Sequence, residues 1–130
     1  MKVLIVEDDF TSRLLLQTFL SRYGECHIAV KGKEAVEAFR IARKDGQRYD
    51  LICMDIMMPE MDGQAALQEI RAEEESAHEY ANAVKVIMTT ALTDIKDVIS
   101  AWRGLCDAYL MKPIDRGKLL EQLKLLKLIA

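Results

Sequence analysis

The sequence predicts an α/β domain built on an open, doubly wound parallel sheet. Three observations carry that expectation. Five short apolar runs alternate with five segments of helical periodicity. The first, third and fourth runs are almost continuously hydrophobic, as strands covered on both faces must be. At 130 residues the chain is the size of one domain, so a single unit over 1–130 is expected. Right-handed crossovers between parallel neighbours then put helices on both faces of the sheet.

Each element has its own signal. "KVLIV" (2–6) is the first strand, followed by Leu15, Leu16, Phe19, Leu20 and Tyr23 at helical spacing, with Gly24 as the expected stop. "CHIAV" (26–30) is the second strand, and Val36, Phe39 and Ala42 mark a helix ending near Gly46. "DLICM" (50–54) is the third, with Ala66, Leu67 and Ile70 marking the next helix. The segment "RAEEESAHEYANA" (71–83) is expected to extend that helix or follow it as a solvated charge run. "KVIMTT" (85–90) is the fourth strand, and Ile95, Val98, Ile99 and Trp102 mark a fourth helix capped by Thr93 or Asp94. "DAYLM" (107–111) is the fifth. In the last helix Leu119, Leu120, Leu123 and Leu126 share one face, whereas Leu125 and Leu128 are expected to project away from it.

Composition excludes several functions. Hydrophobic residues make up 51% and charged ones 30%, an ordinary globular balance. A net charge of -3 counts against direct nucleic-acid or membrane-surface binding, because phosphate surfaces reward basic proteins. No apolar run has the length of a membrane span, and the acids of "MKVLIVEDDF" exclude a secretory signal. Cys26, Cys53 and Cys106 lack close-pair metal spacing and read as reduced thiols of a cytoplasmic protein. His27 and His78 show no ligand spacing either and are assigned to structure or surface.

Sites in open α/β sheets form outside the carboxyl ends of the strands. Glu7 and Asp8 close the first strand with Asp9 just beyond, Asp55 closes the third, Thr90 the fourth and Lys112 the fifth. If the first and third strands are neighbours, three carboxylates crowd together and need a compensating cation. An all-oxygen set suits a hard ion such as magnesium, while Lys112 adds a positive charge and Thr90 a hydroxyl. Such a set suits phosphoryl transfer onto a carboxylate, with Asp55 as nucleophile.

These residues resemble the receiver domain of two-component response regulators, the CheY-like family. "VLIVEDD" is similar to the family's acidic first-strand ending, and "MDIMMPEMDG" to its phospho-acceptor strand and loop. "MTTA" resembles the hydroxyl position and "YLMKP" the aromatic-x-x-Lys-Pro ending of the fifth strand. The resemblance implies a flavodoxin-like fold, strand order 2-1-3-4-5 with five helices. It implies that Asp55 accepts a phosphoryl group from a histidine kinase or phosphotransfer protein, with Mg2+ held by Glu7, Asp8, Asp55 and the backbone carbonyl of Met57. Thr90 and Lys112 would bind phosphoryl oxygens, and Tyr109 would be the switch aromatic coupled to Thr90. The face formed by the fourth helix, fifth strand and fifth helix would then change and bind a downstream protein. Pro59 and Gly63 would shape the loop leaving the site, and the bond before Pro113 would be cis. The implied protein is a signalling switch that catalyses only its own phosphorylation and slow dephosphorylation, not a turnover enzyme.

The chain departs from that pattern in two places. Family members often carry polar residues two positions after the acceptor and two after the hydroxyl residue, where Met57 and Leu92 stand here. Slow hydrolysis of the acyl phosphate is the expectation. Ala91 leaves access for donors open. The pattern ends at Ala130, which reads as a stand-alone receiver or as an excised domain of a larger protein, and the outward leucines of the last helix point to a partner or dimer contact. Three other functions fit less well. A receiver-like module that is never phosphorylated would have lost the acceptor, the acids or the lysine, and all are present. A haloacid-dehalogenase-like phosphatase would carry a second acid where Met57 stands. A nucleotide-binding protein would need a glycine-rich loop after the first strand, and none is there.

Overall fold

Parallel pairing of five short strands organises the chain. A computed structural model describes residues 1–56, 58, 63–79, 82–91 and 105–130. The strands are β1 (Lys2–Val6), β2 (Glu25–Ala29), β3 (Leu51–Asp55), β4 (Lys85–Thr90) and β5 (Ala108–Met111). They form one sheet in the order β2-β1-β3-β4-β5, with every neighbouring pair parallel. Between them run α1 (Phe10–Leu20), α2 (Gly32–Lys44) and α3 (Gly63–Ser76), and a C-terminal helix spans Arg116–Leu125. The expected fourth helix, with Ile95, Val98, Ile99, Trp102 and its caps, lies outside the described residues.

Alternation along the strands divides the core in two. Leu4, Val6, Ile52, Met54, Val86 and Met88 face Val36 and Phe39 of α2 and Leu67 and Ile70 of α3. Val3, Ile5, Leu51, Cys53, Ile87 and Leu110 face Leu16 and Leu20 of α1 and Leu119 and Leu123 of the C-terminal helix. Both sides of the inner strands are therefore sealed from water, which is why their sequences read as unbroken apolar runs.

Strand edges shift by one residue from the sequence expectation, each for a local reason. Glu25 joins β2 because its N–H donates to the carbonyl of Met1 (3.0 Å). Asp50 stays outside β3, spending its carboxylate on the N–H of Lys2 (2.7 Å). Asp107 stays outside β5 and accepts from the N–H of Val86 (2.8 Å). Gly24 is not the helix stop. α1 ends at Leu20, and Gly24 is needed for close approach: a Cβ there would lie 2.1 Å from the Met1 carbonyl oxygen.

The charged run extends the third helix as one of the expectations had it, but its charge is less solvated than the composition suggested. α3 continues through Ser76, and much of its charge is paired rather than solvated. Arg40 and Arg43 of α2 bind Glu73, and Arg43 also binds Glu79 at 3.1 Å. Glu74 is buried and ion-paired to Arg71.

The C-terminal helix closes with a left-handed turn at Lys127 (φ 61°). The N–H of Lys127 donates to Lys124 O (3.0 Å) and that of Leu128 to Leu123 O (2.9 Å), the paired bonds of a Schellman motif. That turn folds Leu128 back against the core, so it does not project outward, whereas Leu125 is 67% exposed as expected. Because a side chain resists the left-handed conformation, Lys127→Gly is expected to stabilise the protein by about 0.5–1 kcal/mol, read from the urea midpoint.

Candidate functional site

Backbone ladders hold Glu7, Asp55, Thr90 and Lys112 at the carboxyl edge of the sheet. The N–H of Glu7 donates to Ala29 O (3.0 Å), extending the β1–β2 ladder by one step. That of Ile56 donates to Thr89 O (3.0 Å), locking the chain just after Asp55. That of Lys112 donates to Thr90 O (2.7 Å). The side chains therefore start from rigid strand ends and not from loops.

Glu7, Asp8 and Asp55 each bring a carboxylate oxygen to within 4.8 Å of the other two. Glu7 is fully buried and Asp55 nearly so, while Asp8 is exposed at the mouth. Lys112 is the facing cation. Its Nζ lies 3.3 Å from Asp55 Oδ2 and forms a close ion pair with Glu7 Oε1. Lys112 thus bridges the two buried acids. Burial pushes the Glu7 carboxyl up to about 7, and the adjacent Asp55 adds to the rise against the pull of Lys112. Burial alone would lower the Lys112 ammonium, but Glu7 and Asp55 outweigh it and hold the group above its ordinary value. Three oxygen donors from acids crowded against one another fit a hard divalent cation.

Thr90 is buried at the end of β4. The register Met88↔Tyr109 and Thr90↔Met111 puts Tyr109 on the same side of the sheet, and the residue is 38% exposed. The Lys112–Pro113 bond is cis, as the resemblance implied. Gly63 opens α3 against the acceptor strand. Its N–H donates to Ile56 O (2.9 Å), and a Cβ would sit 2.3 Å from the backbone oxygen of Asp55. Gly63→Ala is therefore expected to cost about 1–3 kcal/mol, the range for overpacking, with a lower urea midpoint as the readout. Met57, whose carbonyl the resemblance gave to the metal, and Pro59 lie outside the described residues, as does Leu92.

The roles of two side chains were not read from the sequence. Arg13 Nη1 donates to Glu7 O (3.1 Å), tying α1 to the acidic turn. Asp9 is not a site acid. It caps α1 by accepting from the N–H of Ser12 (2.9 Å), and those hydrogen bonds hold its carboxyl below the usual range. A cap signal was legible there, since an acid stands just ahead of the α1 apolar pattern.

The sheet order and the acidic, lysine-backed pocket define a five-stranded parallel α/β domain with a carboxylate site at its edge. A model of the response regulator receiver domain family matches residues 3–124, and the chain belongs to that family. It is a receiver domain of the two-component kind, and the family is one of signalling switches rather than of turnover enzymes. The chain is 34% identical over 119 residues to a probable transcriptional regulator, ycf27, of Cyanophora paradoxa, covering 91% of this chain and 44% of that protein. It is also 34% identical to the regulatory protein AtoC of Escherichia coli, covering 91% of this chain and 23% of that one. It thus spans less than half the length of these curated relatives. Among solved structures, the receiver domain of the Pseudomonas aeruginosa sensor histidine kinase PA1611 is 29% identical, with a TM-score of 0.75 and coverage of 95% and 94%. That structure has a magnesium ion coordinated in its active-site cleft. The N-terminal domain of a Wolinella succinogenes protein is 31% identical, with a TM-score of 0.78 and coverage of 98% and 94%.

Proposed function

We propose that this domain accepts a phosphoryl group on Asp55 from a phosphohistidine of a sensor kinase or phosphotransfer protein and passes the change to a partner protein. The observation that carries this reading is three carboxylate oxygens gathered within 4.8 Å, with the Lys112 ammonium against two of them. A bond forms between an Asp55 oxygen and phosphorus as the P–N bond of the donor breaks, and the donor nitrogen keeps that electron pair. Glu7, Asp8, Asp55 and the Met57 carbonyl would hold Mg2+, which supplies neutralisation of the phosphoryl oxygens. Lys112 moves its charge onto one phosphoryl oxygen, and the Thr90 hydroxyl donates to another.

The switch is Tyr109. Movement of Thr90 toward the phosphoryl group vacates space on the side of the sheet that both residues share, and the ring moves inward. The output face includes β5 and the C-terminal helix, where a groove of about 670 Å³ is lined by Tyr109, Met111, Lys118 and Gln122 among others. It takes a protein partner or a second copy of the chain, in keeping with a net charge of -3. Among the described residues no helix is long and apolar enough to cross a membrane, and the domain works in the cytoplasm on this reading.

Mass spectrometry tests the proposal. Protein given Mg2+ and a small acyl-phosphate donor should gain one acid-stable, base-labile phosphoryl group, and Asp55→Asn should gain none. Absence of the adduct from the parent, or steady turnover of a simple phosphoester, overturns it.

A further inference from the structure

Thr89 stands next to the expected hydroxyl residue, yet the pleat sends it to the opposite side of the sheet. Its register partners are Asp55 on β3 and Leu110 on β5. Paired residues of parallel strands project to the same face. Cys53, Ile87 and Leu110 on that face pack against α1 and the C-terminal helix. The last row across this face thus runs Asp55, Thr89, Leu110, with Glu7 one step past Val6 on β1. Lys112 lies two residues beyond Leu110 and reaches back over the row to Asp55.

Thr89 is fully buried, and among the described residues its Oγ1 has no hydrogen-bond partner. A buried hydroxyl without a partner is costly, and valine would fill the same shape at no such cost. An orphan of this kind calls for a state in which it is satisfied. Phosphorylation creates one beside it. When Lys112 turns to a phosphoryl oxygen, the remaining oxygen of Asp55, now a neutral acyl carbonyl, loses the ammonium that faces it at 3.3 Å.

We propose that Thr89 is a second hydroxyl of the site, a positioning residue that donates to the non-bridging oxygen of Asp55 once the acceptor is loaded. The inference rests on the phospho-acceptor reading above. It gives the two threonines different tasks. Thr90 serves the phosphoryl group and the output side of the sheet, and Thr89 holds the carboxyl that carries it.

Beryllofluoride, which bonds to an aspartate oxygen in place of phosphorus, supplies the probe. Its affinity for the full chain in Mg2+ is measured for the parent, Thr89→Val and Thr89→Ser, together with unliganded melting temperatures. Thr89→Val should bind about tenfold more weakly while melting at the same temperature or higher, and Thr89→Ser should stay within about twofold of the parent. A slowly exchanging threonine hydroxyl proton should appear in the NMR spectrum of the loaded parent. Equal affinity of Thr89→Val and parent, or Thr89→Ser as weak as Thr89→Val, overturns the role of Thr89 and leaves the acceptor reading standing. A parent that binds no beryllofluoride at all overturns both.

Discussion

Arg71→Ala is expected to lose about 3–5 kcal/mol of folding stability, the cost of stranding a buried acid when its partner is removed. The Arg71 guanidinium joins four acceptors from three parts of the chain. Nη1 donates to Glu74 Oε1 (2.6 Å) and Val84 O (2.9 Å), Nε to Leu105 O (2.8 Å), and Nη2 to Asp107 Oδ2 (3.1 Å). Both acids are also spent on the sheet. Glu74 Oε2 accepts from the N–H of Val84 (2.7 Å), and Asp107 accepts from that of Val86 (2.8 Å). One side chain thus ties α3 to the leading ends of β4 and β5. Removing it leaves Glu74, only 5% exposed, without the arginine that it pairs with. Chemical denaturation of Arg71→Ala should show a lower midpoint at unchanged slope. Adding Glu74→Gln should return part of the loss, since the amide oxygen can still serve Val84 while carrying no charge. A loss below about 1 kcal/mol would make the network an ordinary surface pair.

That network marks where the sequence stopped being legible. Apolar alternation encodes which strands are doubly covered, because burial on both faces demands it, and β1, β3 and β4 were readable for that reason. Charge patterning carries no such demand. "RAEEESAHEYANA" has the composition of a solvated helix, and only the tertiary position of Val84, Leu105 and Asp107 turns Arg71 and Glu74 inward. The same holds at the C-terminus. Helical spacing puts Leu128 off the core face, but the left-handed turn at Lys127 reverses the chain and brings it back. At the site, strand ends could be located from the apolar runs, and the order 2-1-3-4-5 sufficed to bring Glu7, Asp8, Asp55 and Lys112 together. Thr89 was hidden by its neighbour. Two successive threonines differ only in which way the pleat points them, and that depends on register with β3.

Asparagine in place of Met57 is expected to shorten the life of the acyl phosphate roughly tenfold, the worth of about 1.4 kcal/mol, which is the scale of one hydrogen bond added to an attacking water. Hydrolysis needs a water held in line with the Asp55–phosphorus bond, and positioning is most of what a protein can offer there. Positions 57 and 92 follow the acceptor and Thr90 by two residues each, and methionine and leucine offer no donor or acceptor suited to the task. The parent should therefore decay over many minutes in Mg2+ after the donor is removed, and a lifetime of seconds would sink the idea. Met57→Leu keeps the bulk without the amide and should decay like the parent, which separates hydrogen bonding from access. Uptake of phosphate should change far less than decay in Met57→Asn, because Ala91 beside Thr90 is small and exposed and the donor's approach is already open. The asymmetry matters for signalling. At a fixed supply of phosphohistidine, a tenfold faster loss with unchanged gain would lower the phosphorylated fraction, so on the proposed function an apolar pair at these two positions would hold the switch on after its kinase has stopped.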